Sequence, residues 1–228
     1  MLELFEISKQ YPSPVGGESL SVLDNISLKV DKGESLAIVG PSGSGKSTLL
    51  NIIGGLDRPD SGRVFLDGKD IASANGQELA AIRNQKIGFV FQLHHLLPQL
   101  TVLENILVPT LAVRDRKVRK QKNDRANNLL ETVGLSDRSS HRPGQLSGGQ
   151  MQRVAVVRAL INNPSIILAD EPTGSLDKAS TDNIADLLVE LNQTEKVTLI
   201  TVTHSTALAE RMDRVLQLSE GVLLQERS

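Results

Sequence analysis

The sequence predicts an α/β fold built on a mostly parallel, helix-covered sheet, and three observations predict it. Short apolar runs at Ser35–Val39, Val64–Leu66, Gly88–Phe91, Ile166–Ala169 and Leu199–Val202 have the length of strands, and several are apolar throughout, as strands buried on both faces are. Helical patterns alternate with these runs, the order that lays helices over parallel strands. The chain has 228 residues, 39% of them apolar, which is enough for a real core in one large domain or two small ones.

The first helix is signalled at Lys46–Gly54, directly after the strand Ser35–Val39. Others are signalled from Thr101 onward, at Ser147–Asn162 and at Thr181–Asn192. In the last of these Ile184, Leu187, Leu188 and Leu191 fall at i, i+3, i+4 and i+7. Val215–Leu218 and Val222–Leu224 flank Glu220-Gly221 and read as a hairpin. Between residues 93 and 160 strand signals stop and helical ones take over. This places a helical subdomain (93–160) inside a core made of 1–92 and 161–228, the whole forming one domain. Within it, Val113–Asn128 carries seven Lys or Arg against two Asp, a pattern that fits a solvated helix face better than an anionic-lipid or nucleic-acid patch.

Composition excludes several functions. Net charge is −2 and the aromatic residues are four Phe, one Tyr and no Trp, so neither a basic field nor a set of stacking rings is present to read nucleic acid. The absence of Cys removes disulfides, thiolate catalysis and Cys-ligated zinc, and suits a reducing compartment. Met1–Ser8 carries Glu3 and Glu6 where an export signal would carry basic residues, so no such signal is expected. The longest uncharged stretch, Ile87–Leu103, holds two Gln, two His and a Pro; no membrane span is expected.

Gly40, Pro41, Ser42, Gly43, Ser44, Gly45, Lys46 and Ser47, followed by Thr48, fit a phosphate-binding loop, placed as that loop requires between a buried strand and a helix. The glycines let successive N–H groups and the helix N-terminus face a phosphate, Lys46 can reach the β and γ oxygens, and Ser47 offers a hydroxyl to Mg²⁺. Ile166–Ala169 leads into Asp170 and Glu171, an apolar strand ending in two carboxylates. Asp170 is the candidate metal acid and Glu171 the candidate base for an attacking water. Leu146-Ser147-Gly148-Gly149-Gln150 opens a second helix whose Ser147 can cap it while the glycines leave bare N–H groups, a second anion site. Two phosphate-facing helix starts far apart in one chain are reconciled by a head-to-tail dimer.

These elements, with Gln92, Gly174-Ser175-Leu176-Asp177 and His204, resemble the nucleotide-binding subunit of ATP-binding cassette (ABC) transporters over nearly the whole chain. The resemblance implies a RecA-like phosphate-loop NTPase core with a parallel sheet, an N-terminal antiparallel β part and an inserted α-helical subdomain. It also implies an ATP hydrolase that uses ATP and Mg²⁺. Gln92 would sense Mg²⁺ and the membrane partner; Ser147, Gly148, Gly149 and Gln150 would contact the γ-phosphate across a homodimer. Asp177 would link the two sites, His204 would contact the γ-phosphate, and Tyr11, which precedes Pro12 and a loose Ser13–Glu18, would stack on adenine. A separate integral-membrane permease would dock a coupling helix near residues 93–110, holding the chain at the cytoplasmic face of the inner membrane.

Phe91–Asn105, Gly55-Leu56-Asp57, Arg83-Asn84-Gln85 and Ala169–Gly174 resemble the LolD/MacB-like branch of that family, in which ATPases serve lipoprotein release or macrolide export. Ser175, Gln150 and Ser205 depart from the branch's usual residues and keep YbbA-like and FtsE-like relatives open. A soluble cassette acting on DNA or ribosomes would carry two cassettes or a long insert before Leu146, and this chain carries neither.

Overall fold

The computed structural model describes residues 1–12 and 19–225; the expected loose segment Ser13–Glu18 lies outside them. In chain order the elements are β1 (Leu2–Tyr11), β2 (Leu20–Val30), β3 (Ser35–Val39), α1 (Lys46–Ile53), β4 (Ser61–Leu66), β5 (Lys69–Asp70), α2 (Gly76–Lys86) and β6 (Ile87–Phe91). There follow α3 (Val102–Leu107), α4 (Arg116–Thr132), α5 (Gly148–Leu160), β7 (Ile166–Asp170), α6 (Lys178–Glu195), β8 (Thr198–Val202), α7 (Thr206–Ala209), β9 (Arg214–Ser219) and β10 (Val222–Gln225).

Six strands form one sheet in the order β10-β9-β3-β8-β7-β6, parallel from β9 to β6 and closed at one edge by the antiparallel β9–β10 hairpin. Its central strands are buried on both faces, and successive residues divide between them: Leu36 and Ile38 belong to one apolar cluster, Ala37 to the other; Ile166 and Leu168 to one, Ile167 and Ala169 to the other. One face is covered by α3 to α7, through Ile106, Leu130, Val157, Ile184 and Leu208 among others. Against the opposite face lies α1, and beyond it a second sheet, the antiparallel β2-β1-β4-β5. Leu49, Leu50, Ile52 and Ile53 of α1 are all buried, as expected of a helix held between two sheets.

Val64–Leu66 reads as a strand in the sequence, and the structure assigns it, as part of β4, to the antiparallel sheet rather than the parallel one. The long β1 and β2 escape the apolar pattern because their pairing register shifts repeatedly and Glu6 and Asn25 sit at φ 49° and 52°, which breaks the period-2 alternation. α2 buries Leu79 alone and so has no apolar stripe; its signal is the capping box of Asn75 and Glu78. α3 is capped by Thr101 with Glu104 and ends after two turns, where Pro109 follows Val108. α4 buries Ala126, Leu129 and Leu130, leaving its basic first half at the surface. Among the described residues no helix is long and apolar enough to cross a membrane.

Candidate active site

The parallel register brings four chain reversals side by side: Ile38 pairs with Val202, Val202 with Asp170, and Asp170 with Phe91. The residues that follow the C-terminal ends of β3, β8, β7 and β6 therefore share one rim, where ligands bind in open α/β sheets. These residues are the phosphate loop, Thr203 and His204, Glu171, and Gln92. Between them opens a cavity of about 440 Å³ lined by the loop, all of Gly40 to Thr48 except Pro41 and Ser44, with Val22, Gln92, Glu171 and His204.

The loop's shape follows from its glycines. Gly45 caps α1 at φ 97°, and a Cβ there would lie 2.7 Å from the Val22 carbonyl oxygen; at Gly40 a Cβ would run into the Leu218 carbonyl of β9. Gly40→Ala should therefore strain the loop by roughly 1–3 kcal/mol. For a chain of this size that lowers the thermal midpoint by roughly 3–10 °C. A melting curve that superimposes on the parent's would contradict this packing.

Lys46 is 8% exposed, and its ammonium lies inside the loop, donating to the Gly40 and Pro41 carbonyls at 2.9 Å each. The Ser44 hydroxyl is buried in the same loop without a protein partner. Ser47 donates to Asp170 Oδ1 at 3.1 Å, which couples the loop to the end of β7. Burial pushes the Asp170 carboxyl up, the Ser47 hydrogen bond opposes the shift and the neighbouring Glu171 charge adds to it.

Glu171 turns the chain at φ 45°, a left-handed conformation that costs a non-glycine residue free energy and aims its side chain back along the rim. Its amide donates to the Val202 carbonyl at 2.9 Å. The carboxylate accepts from Thr203 Oγ at 3.1 Å and the His204 amide at 3.2 Å, and His204 Nδ1 stands 2.9 Å from Oε1. The base candidate is thus oriented by the end of β8. Gln92 is exposed at the rim; its carbonyl accepts from Ser175 Oγ at 3.0 Å, and its side chain packs on Gly174.

Several of the expected residues lie apart from this wall. Ser147 and Gln150 cap α5 reciprocally, with Ser147 N–H donating to Gln150 Oε1 at 2.9 Å, and neither they nor Gly148 and Gly149 line the cavity. Asp177 caps α6 by accepting from Ser180 N–H at 3.0 Å and Oγ at 2.7 Å, also off the wall. Tyr11 stands outside the lining, its hydroxyl on Asp57. Asp170 is reached through Ser47.

Val22 on the cavity wall and Thr203 behind Glu171 join the site without having been singled out, and His94 and Arg158 brace the loop that follows Gln92. His94 and His95 are consecutive left-handed residues at φ 60° and 48°, and the guanidinium of Arg158 donates to both their carbonyls at 2.6 Å. His94 Nε2 stands 3.1 Å from the Gly148 carbonyl; a carbonyl only accepts, so this nitrogen carries the proton. The loop after Gln92 is thereby fastened to the start of α5. Only the unusual His-His pair marks it in the sequence, and a through-space contact to Gly148 leaves no periodic trace.

A family model described as "ABC transporter" matches residues 23–174, two thirds of the chain, from β2 through both carboxylates. The chain belongs to the ABC transporter family. Among curated members of this family, the lipoprotein-releasing system ATP-binding protein LolD 1 of Rhodopirellula baltica is 50% identical over 224 residues, 98% of this chain and 96% of that protein. LolD of Legionella pneumophila (strain Paris) is 49% identical over 94% of each chain. The bacterial ABC cassette MJ0796, solved as a dimer, superimposes with a TM-score of 0.87 at 42% identity over the full length of both chains. The same cassette in a post-hydrolysis state bound to ADP and Pi gives 0.85 at 40% identity. The expected cassette fold, with its parallel sheet and antiparallel β part, is the observed one, and the chain is an ABC-type ATPase.

Proposed function

We propose that this ABC ATPase powers a lipoprotein-releasing permease from the cytoplasmic face of the inner membrane, as a head-to-tail homodimer that closes on ATP and reopens on hydrolysis. The observation that carries the dimer is the placement of Ser147, Gly148, Gly149 and Gln150 outside the cavity that their own chain builds. A second copy would bring them to it, with Asp177 linking the two sites. Half-identity to two LolD proteins over nearly the whole chain supports the lipoprotein reading.

Within one chain, the buried partnerless Ser44 hydroxyl, the Lys46 ammonium and the Ser47–Asp170 pair fit a Mg²⁺-bound triphosphate. Mg²⁺, when bound, neutralises charge on the β and γ oxygens. It is usually held through one or two carboxylates plus phosphates, which suits Asp170, Ser47 and Gln92 and needs no larger acidic cluster; among the described residues there is none. Lys46 holds the β and γ oxygens, Glu171 takes a proton from the attacking water, His204 contacts the γ-phosphate and Tyr11 stacks on adenine. Residues 93–160 form the helical subdomain inserted in the core of 1–92 and 161–228. Near 93–110 the exposed Leu93 and Leu97 offer apolar surface to a coupling helix.

Affinity purification from its native membrane tests the reading. The expected partner is a permease with few transmembrane helices and a large periplasmic domain, and the reconstituted complex should release a lipoprotein from vesicles when given ATP. A many-helix partner, or ATP consumption with no lipoprotein released, would contradict it.

A further inference from the structure

Tyr11 is the single tyrosine of a chain without tryptophan, and the side chains around it form a fixed mount. β1 carries Lys9 and Tyr11 two residues apart, on one face of the strand. The Tyr11 hydroxyl donates to Asp57 Oδ2 at 2.6 Å. Lys9 Nζ lies over the ring, 5.2 Å from its centroid. That ammonium is itself held, donating to the Arg58 carbonyl at 2.7 Å and facing Asp57 Oδ1 and Asp60 Oδ1 at 3.4 Å each. Asp57 is no freer: its Oδ1 accepts from the Arg58 amide at 2.7 Å, and its own amide and that of Leu56 donate to the Asn51 carbonyl in the last turn of α1. α1 begins at Lys46. The tyrosine ring and the phosphate loop are therefore joined through one buried helix and one carboxylate.

We propose that Asp57 and Lys9 are positioning residues for the nucleotide base: Asp57 fixes the plane of Tyr11 through its hydroxyl, and Lys9 covers one face of the ring so that the purine stacks on the other. This rests on the reading of Tyr11 as the adenine platform. A ring at the end of a strand, followed by proline and 38% exposed, would otherwise lose rotamer freedom when a base arrives. The mount removes that cost beforehand, worth roughly three- to tenfold in ATP affinity. The hydrogen bond to Asp57 also raises the Tyr11 hydroxyl pKa, with burial adding to it.

The test uses the purified full chain and compares affinities for ATP and for inorganic triphosphate, which has no base. Tyr11→Ala should weaken ATP roughly tenfold or more and leave triphosphate unchanged. Asp57→Asn and Tyr11→Phe should each weaken ATP roughly three- to tenfold, again with triphosphate unchanged. Because Tyr11 is the one tyrosine, its ionisation can be read by absorbance, and Asp57→Asn should move that titration to lower pH. Parent-like ATP affinity in Asp57→Asn and Tyr11→Phe, with Tyr11→Ala still impaired, would overturn the positioning role alone. Parent-like affinity in Tyr11→Ala would overturn the platform and the proposal with it. Equal losses of ATP and triphosphate in Asp57→Asn would mark a structural role and also overturn it.

Discussion

Glu171→Gln is expected to lower steady-state ATP turnover by about 10²–10⁴-fold while ATP still binds. The glutamine carbonyl oxygen can accept from Thr203 Oγ and the His204 amide as Oε2 does, so the left-handed turn after β7 and the shape of the rim are kept. An amide, however, cannot take a proton from water at neutral pH. The variant thus separates the chemistry from the binding, and phosphate release measured beside ATP affinity distinguishes the two. Turnover at the parent rate would remove Glu171 from the role of base and move the search to the other groups on the cavity wall.

Lys46→Ala should act on the opposite half of the reaction. Its ammonium is the cation that the phosphate loop encloses, held at the Gly40 and Pro41 carbonyls with 8% exposure. Each hydrogen bond from such a group to a phosphate oxygen is worth about 1.5–3 kcal/mol. Losing two of them weakens ATP affinity by about a hundredfold or more. Alanine also frees the two loop carbonyls, but Gly40 is half-buried and Pro41 exposed, so water can reach them and the fold should survive. Calorimetry should therefore find a folded chain that no longer binds ATP at concentrations saturating the parent. Unchanged affinity would contradict the assignment of the loop.

The parts of this site legible in the sequence are those set by local chemistry. A strand, a glycine loop and a helix opening on Lys46 follow one another without a gap, so Gly40–Ser47 could be placed from spacing alone, and Asp170 and Glu171 follow from an apolar strand that ends in acids. Buried parallel strands are equally clear, because both of their faces are apolar, Leu36, Ile38, Ile166 and Leu168 on one and Ala37, Ile167 and Ala169 on the other. What escaped depends on contacts distant in sequence. β1 and β2 are bent by left-handed Glu6 and Asn25 and carry no clean alternation. α2 is almost wholly exposed and has no stripe. The Arg158 clamp on His94 and His95, and the Thr203 hydroxyl that orients Glu171, join segments that only the folded sheet brings together. The same holds for the mount of Tyr11: Lys9 and Tyr11 are neighbours on a strand, but Asp57 reaches them from the turn that follows α1.

The central claim is that the Ser147–Gln150 turn of one copy completes the nucleotide cavity of another. Sedimentation velocity of Glu171→Gln with Mg²⁺ and ATP tests it most directly, run beside the double variant that also carries Ser147→Arg. Ser147 is outside the cavity of its own chain, so both proteins should bind ATP. The account predicts that Glu171→Gln sediments as a dimer with ATP and as a monomer without it, and that the added arginine keeps the protein monomeric. A Glu171→Gln chain that binds ATP yet remains a monomer, or a dimer that forms equally well with Ser147→Arg, would contradict it.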